Sequence, residues 1–192
     1  MCLSNNNIIH IMFFRFYLCL INTRNKEHNS DTNCESMEWL PLVAGVTDEQ
    51  LTASTDYDDE LIPANSRLTD VVGWCPLEED FDPWLQVTFE DLQKIVGIRT
   101  LGSGKFREYV KTYEITYTSD GTAWGLYGAF MGNSAEDIPK THDFNPPPEA
   151  LAMRFYPKEY YKGRTVRWEL YTCPTPAFEE KTRDNYEGTI KL

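Results

Sequence analysis

Two clusters of carboxylates carry the chemistry this sequence could perform: Asp56, Asp58, Asp59 and Glu60 in TDYDDELIP, and Glu78, Glu79, Asp80 and Asp82 in LEEDFDP. Carboxylates at this density can hold a hard cation such as calcium through oxygen ligands. They can also meet the Lys and Arg side chains of a basic partner. Acid–base catalysis would need one of them buried, because burial is what raises a carboxyl pKa toward neutrality. Four acids within Asp56 to Glu60 cannot enter a core unpaired, so the first cluster reads as an exposed loop tipped by Tyr57, Leu61 and Ile62. Neither spacing is that of a recognised calcium loop, and a run of acids is ordinarily a solvated segment. Between residues 34 and 173 the only histidine is His142, in a Pro-rich connection. No Ser/His/Asp, HExxH or phosphate-cradling motif accompanies it, so the chain reads as a non-enzyme.

The elements that must position these loops are strands. Leu85, Val87 and Phe89 alternate with Trp84, Gln86 and Thr88 directly after the second cluster, a two-residue period with one buried face. Tyr113, Ile115 and Tyr117 alternate with Glu114 and Thr116, and SDG at 119 to 121 supplies the hairpin turn that follows. LQKIVGIRTLGSG reads as a strand ending in a Gly-rich turn. Met153 and Phe155 face one way in AMRFYP, as do Val166, Trp168 and Leu170 in TVRWELYTC. Arg167 and Glu169 read as a structural charge pair, and Trp124, Trp168, Tyr113 and Tyr117 as core and cross-strand packing. No amphipathic helix of normal length appears. Many short strands separated by turns indicate an all-β sandwich or barrel.

The chain has 192 residues, enough for one well-packed domain with extensions, and a formal net charge of −12. Residues 1 to 33 contribute +1 and residues 174 to 192 contribute −1, so the middle holds the entire surplus of acid. That excludes nucleic acid as a partner, since phosphate backbones are held by clustered bases. Residues 8 to 21, IIHIMFFRFYLCLI, are too short for a spanning helix and are interrupted by His10 and Arg15. They read as a degenerate signal segment followed by a polar linker, although no basic flank or small-residue cleavage site is present. The tail from Pro174 is polar and reads as a linker. Cysteines at 2, 19, 34, 75 and 173 form no CxxC and no zinc spacing, and Cys34 and Cys173 bracket the strand-rich middle. No Asn-x-Ser/Thr sequon occurs.

The ordered motifs give a more specific reading. Cys34, DEQLTAS at 48 to 54, SRL at 66 to 68, GWCP at 73 to 76, WLQV at 84 to 87 and VGIRTLG at 96 to 102 come first. YVKTYEITYTSDGTAW at 109 to 124, GN at 132 to 133, FNPP at 144 to 147, MRFYP at 153 to 157 and RWELYTC at 167 to 173 follow. In this order they resemble the discoidin, or coagulation factor V/VIII type C, domain over residues 34–173. The resemblance implies an eight-stranded antiparallel jelly-roll β-sandwich, galactose-binding-like in fold, in which Cys34 and Cys173 are disulfide-bonded. It also implies an extracellular or cell-surface recognition module whose ligand loops are 56–65, 75–83 and 102–109.

On those loops the expected binding residues are Tyr57, Asp58, Asp59, Glu60, Leu61, Ile62, Glu79, Asp80, Phe81, Ser103, Lys105, Phe106 and Arg107. Phospholipid-binding members use apolar tips flanked by bases; here the first two loops carry eight acids against Lys105 and Arg107, which disfavours an anionic membrane. The neuropilin-type pocket for a C-terminal arginine and the collagen-receptor apex are each matched only in part, by Tyr57, Glu79 and Ser103. The expected partner is therefore a matrix or cell-surface protein, with a phospholipid or glycan, calcium-assisted in the second case, as the alternative. Relatives with a cysteine at the GWCP position pair it with one eight residues before the last, where this chain has Thr165. Cys75 is therefore expected to be a buried, inert thiol, with pairing to Cys2, Cys19 or another chain as the alternatives.

Overall fold

The computed structural model describes residues 38–174, and every statement below refers to those residues. The apolar stretch 8 to 21, the polar linker, Cys34 and the tail lie outside them, so the expected Cys34–Cys173 pairing does too. The described residues belong to one compact unit, Ser36–Ala177, which holds the fold.

Nine strands are present: β1 Leu40–Pro41, β2 Leu51–Ala53, β3 Leu85–Lys94, β4 Gly97–Leu101, β5 Tyr109–Thr118, β6 Gly125–Met131, β7 Lys140–Asp143, β8 Glu149–Tyr161 and β9 Arg167–Thr172. They form a four-stranded sheet in the order β1-β9-β4-β7 and a five-stranded sheet in the order β2-β3-β8-β5-β6. Every pairing of these strands is antiparallel. The all-β sandwich expected from the alternation is what forms, with the two-residue β1 as an addition to the expected eight. One expected strand is two: LQKIVGIRTL breaks at Ile95 and Val96, whose side chains are buried while the chain crosses from the five-stranded to the four-stranded sheet.

The core lies between the sheets. Leu85 and Val87 from β3, Val110, Tyr113 and Ile115 from β5, and Met153 and Phe155 from β8 face Ile98, Trp168 and Leu170 of the other sheet. Tyr113 and Phe155 stack with ring centroids 4.4 Å apart, and Phe155 meets Trp168 edge-on at 6.0 Å. Burying each such side chain stabilises by about 1.5–3 kcal/mol. Trp124, in contrast, packs across strands on the outer face of the five-stranded sheet, over Arg154.

Arg167 and Glu169 do not pair. Arg167 donates to the carbonyls of Gly102, at 2.7 Å, and Asp70. Glu169 accepts the amides of Leu42, Val43, Ala44 and Leu170 at 2.5–3.0 Å, closing the 3-10 turn Val43–Gly45. Neighbours in sequence on one strand edge, they are satisfied by backbone brought from 65 and about 125 residues away.

Candidate functional site

At one end of the sandwich four segments surround a cleft of about 870 Å³. Three are the expected loops; the fourth is the turn joining β8 to β9, residues 162–166.

The first loop is anchored by Trp74, whose indole N–H donates to the Thr55 carbonyl (2.9 Å) and the Asp56 carboxylate (3.1 Å). Partial burial pushes the Asp56 carboxyl up, and the indole opposes that shift. Asp58 folds the loop on itself by accepting the amides of Glu60 and Leu61, both at 2.9 Å. Leu61, expected as an exposed tip, is only 5% exposed: the Cys75 amide donates to its carbonyl and its side chain packs with Val72 and Cys75 in a small second core. A leucine beside four acids still goes inside when the chain turns it toward an apolar neighbour.

The second loop is held from both sides. Asp80 accepts the Ser54 hydroxyl at 2.5 Å and the Thr55 hydroxyl at 2.8 Å, while Arg164 donates to the carbonyls of Asp80 and Leu77. Burial pushes the Asp80 carboxyl up, but the Ser54 and Thr55 bonds outweigh it and hold the group below the usual carboxylate range. Phe81, at the crown of this loop, is 95% exposed.

In the third loop Ser103 is fully buried and structural. Its amide donates to the Glu108 carbonyl and its hydroxyl accepts the Phe106 amide at 3.2 Å. Arg107 adopts a positive φ of 59° and turns to Glu136 at 3.1 Å. Lys105 pairs with Glu60 across the gap to the first loop.

Of the expected binding residues, Tyr57, Asp58, Leu61, Asp80, Phe81 and Phe106 line the cleft. Asp59, Glu60, Ile62, Glu79, Ser103, Lys105 and Arg107 do not. Sequence reasoning missed Glu108, the end of β8, which adds Lys158, Glu159 and Tyr160 to the wall, and the β8–β9 turn, which adds Lys162 and Arg164. The Lys-Gly pair at 162 and 163, with Lys162 at φ 64°, is the turn signal that could have located it. Glu108 sits where a side chain on Gly163 would be, with Oε2 2.1 Å from an ideal Cβ, and accepts the Thr165 hydroxyl at 2.6 Å. Cys75 forms part of the floor; it is a free thiol whose pKa burial raises, with the Thr165 hydroxyl against it. Burial and the Glu108 carboxylate outweigh the Arg164 charge beside it, so the thiol is not poised as a reactive thiolate.

The acids of the first two loops do not converge. Asp58 and Asp80 are spent on the loops themselves and Glu60 on Lys105. Among the described residues no three His, Cys, Asp or Glu side chains are placed to hold a metal ion. On the side of the first two loops Tyr57, Glu78, Phe81 and Asp82 are exposed at the mouth, and on the β8 side Lys158, Glu159, Tyr160 and Lys162 are.

The F5/8 type C domain family model matches residues 50–170. The chain belongs to the F5/8 type C family. This F5/8 type C domain is 29% identical to human EGF-like repeat and discoidin I-like domain-containing protein 3 over 67% of the chain and 30% of that protein. It is 29% identical to rat lactadherin over 90% of the chain and 44% of that protein. It is 32% identical to mouse neuropilin-1 over 86% of the chain and 18% of that protein. The chain thus spans less than half the length of these relatives. Among solved structures, wild-type discoidin II from Dictyostelium discoideum is similar at a TM-score of 0.66 and 24% identity, over 73% of this chain and 60% of that one. The family 32 CBM from C. perfringens NanJ in complex with galactose is similar at 0.55 and 16%, over 65% and 95% respectively. These likenesses bear on the fold.

Proposed function

We propose that this domain is an extracellular, non-enzymatic recognition module that binds a basic segment of a matrix or cell-surface protein in the loop-end cleft. The observation that carries the reading is the second loop's crown: Phe81 is almost fully exposed and shares the cleft lining with Glu78, Asp82 and Tyr57. An apolar ring buried on contact supplies affinity, and carboxylates beside it select Lys and Arg over acidic or neutral sequences. Membership of the F5/8 type C family supports a binding role.

Immobilised matrix and cell-surface proteins, together with a Lys/Arg-rich peptide, form the test panel. Phe81→Ser combined with Glu78→Lys and Asp82→Lys is expected to abolish binding to the panel members that wild type retains, with unchanged thermal unfolding. Full retention of binding by the triple variant refutes the proposed face. Phospholipid is the second reading, favoured by the exposed Phe81 and the Phe106 ring beside Lys105. Co-sedimentation with phosphatidylserine vesicles, and not with the panel proteins, would select it. A glycan array run with and without EDTA addresses the calcium-assisted alternative.

A further inference from the structure

The outer face of the five-stranded sheet carries an arrangement centred away from the cleft, which it reaches only at Lys158 and Lys162. Arg154, on the central strand β8, lies between two indoles, with its guanidinium carbon 4.3 Å from the Trp84 ring centroid and 4.1 Å from that of Trp124. Trp84 immediately precedes β3. Trp124 is placed by the β5–β6 turn, where the Asp120 carboxylate accepts the amides of Thr122 (2.8 Å) and Ala123 (2.9 Å) and the Thr118 hydroxyl (3.0 Å). The Arg154 Nε donates to Gln86 Oε1 at 2.8 Å, and the Gln86 amide nitrogen donates in turn to the Thr88 hydroxyl at 2.8 Å. The guanidinium is thereby fixed in plane and in rotation. Among the described residues neither Nη has a hydrogen-bond or ion-pair partner. Thr116 is directly opposite Arg154 in the β5–β8 register, on the same face, and its hydroxyl is buried without a partner.

A guanidinium held this way presents two parallel N–H donors, the geometry that matches a carboxylate bidentately. The next outward row continues the pattern: Tyr156 is paired with Glu114 in register, and Lys158 lies 5.4 Å from the Tyr156 ring centroid and 3.0 Å from the Glu114 carboxylate. Farther along, Lys111 and Lys162 sit over the Tyr161 ring at 5.9 and 5.5 Å. An otherwise acidic domain thus bears a group of bases and aromatic rings centred on β8 and drawn also from β5 and the adjoining turns. Its net charge does not cancel this group, because charges beyond about 8 Å are largely screened at physiological ionic strength.

We propose that this face binds an acidic polysaccharide, with Arg154 receiving a uronate carboxylate. A saccharide is favoured over an acidic peptide because β8 is paired on both sides and offers no free backbone edge. A sheet face studded with aromatic rings, in contrast, accepts stacked sugar rings. The test is calorimetric titration of the full chain with a hyaluronan decasaccharide, whose only charged groups are uronate carboxylates. Neutral cellohexaose and a poly-glutamate peptide serve as controls. Wild type is expected to bind the decasaccharide and neither control. Arg154→Lys, which keeps the charge and loses the fork, is expected to weaken binding at least tenfold. Thr116→Val, a near-isosteric change that removes only a buried, unpartnered hydroxyl, should fold normally and leave binding unchanged, as should Phe81→Ser. No binding by wild type, or wild-type binding by Arg154→Lys, overturns the proposal. Poly-glutamate binding as tight as that of the decasaccharide overturns the saccharide assignment.

Discussion

Replacing Thr165 with cysteine is expected to cross-link the domain through Cys75. Trp74 and Val166 form an antiparallel bridge in which each amide donates to the other's carbonyl at 3.0 Å. The adjoining pair, Cys75 and Thr165, is then a non-hydrogen-bonded pair, the kind whose Cα atoms approach to about 4.5 Å. That lies inside the range a disulfide spans, and the Thr165 hydroxyl already lies against the Cys75 thiol. Closing a loop of about 90 residues stabilises by about 4.5 kcal/mol in the chain-entropy model. Against this stands the bond from the Thr165 hydroxyl to the Glu108 carboxylate at 2.6 Å, whose loss costs about 1.5–3 kcal/mol. The net expectation for Thr165→Cys is a gain of about 2 kcal/mol. Because burial keeps the Cys75 thiol protonated, the bond should form during oxidative refolding. Non-reducing peptide mapping identifies the link, and urea midpoints with and without reductant measure its effect. A variant that refolds with both thiols free refutes the inferred register at this bridge.

Two further outcomes follow from the carboxylates of Asp80 and Glu169, the first half-buried and the second buried. Asp80 has its folded pKa below the ordinary carboxylate value, so its contribution to stability is complete above that value and is lost as pH falls through the folded pKa. The stability difference between wild type and Asp80→Asn, from urea unfolding, should be constant above about pH 5 and shrink below about pH 4; a pH-independent difference contradicts the role given to Ser54 and Thr55. Glu169→Leu strands the amides of Val43 and Ala44 and is expected to cost about 3 kcal/mol with an unchanged m value, and a cost under about 0.5 kcal/mol would show that those amides find other partners.

The sandwich was legible because its strands alternate with period two and their turns carry Gly, Asp and Pro: Leu85/Val87, Tyr113/Ile115, Met153/Phe155 and Trp168/Leu170 all face inward as their spacing dictates. The positions of the ligand loops were legible through the resemblance. The direction of individual loop side chains was not. Leu61 enters a small core and Ser103 ties its own turn, and both outcomes depend on contacts such as Cys75 to Leu61 and Ser103 to Glu108 that local composition does not encode. Arg167 and Glu169 show the same limit at longer range, since the carbonyl of Asp70 and the amides of 42 to 44 reach them only once the sheets are assembled. The β8–β9 turn was overlooked because the apolar alternation that marks β8 stops with MRFYP, whereas the strand runs on through KEYY to Tyr161 and only then turns at Lys162 and Gly163. Arg154 was equally hidden, for nothing in MRFYP announces that Trp84 and Trp124 will meet on either side of it.

The double tether of the second loop has a bearing on how tightly its crown can hold a partner. Ser54, Thr55 and Arg164 fix Leu77 and Asp80 before anything arrives, so covering Phe81 immobilises little backbone that was free beforehand. Ordering a loop or a rotamer-rich side chain on contact costs about 0.5–1.5 kcal/mol per group, and here most of that ordering accompanies folding. Binding at this crown should therefore be governed by the fit of the incoming surface to a preset shape, with slow dissociation for partners that match it.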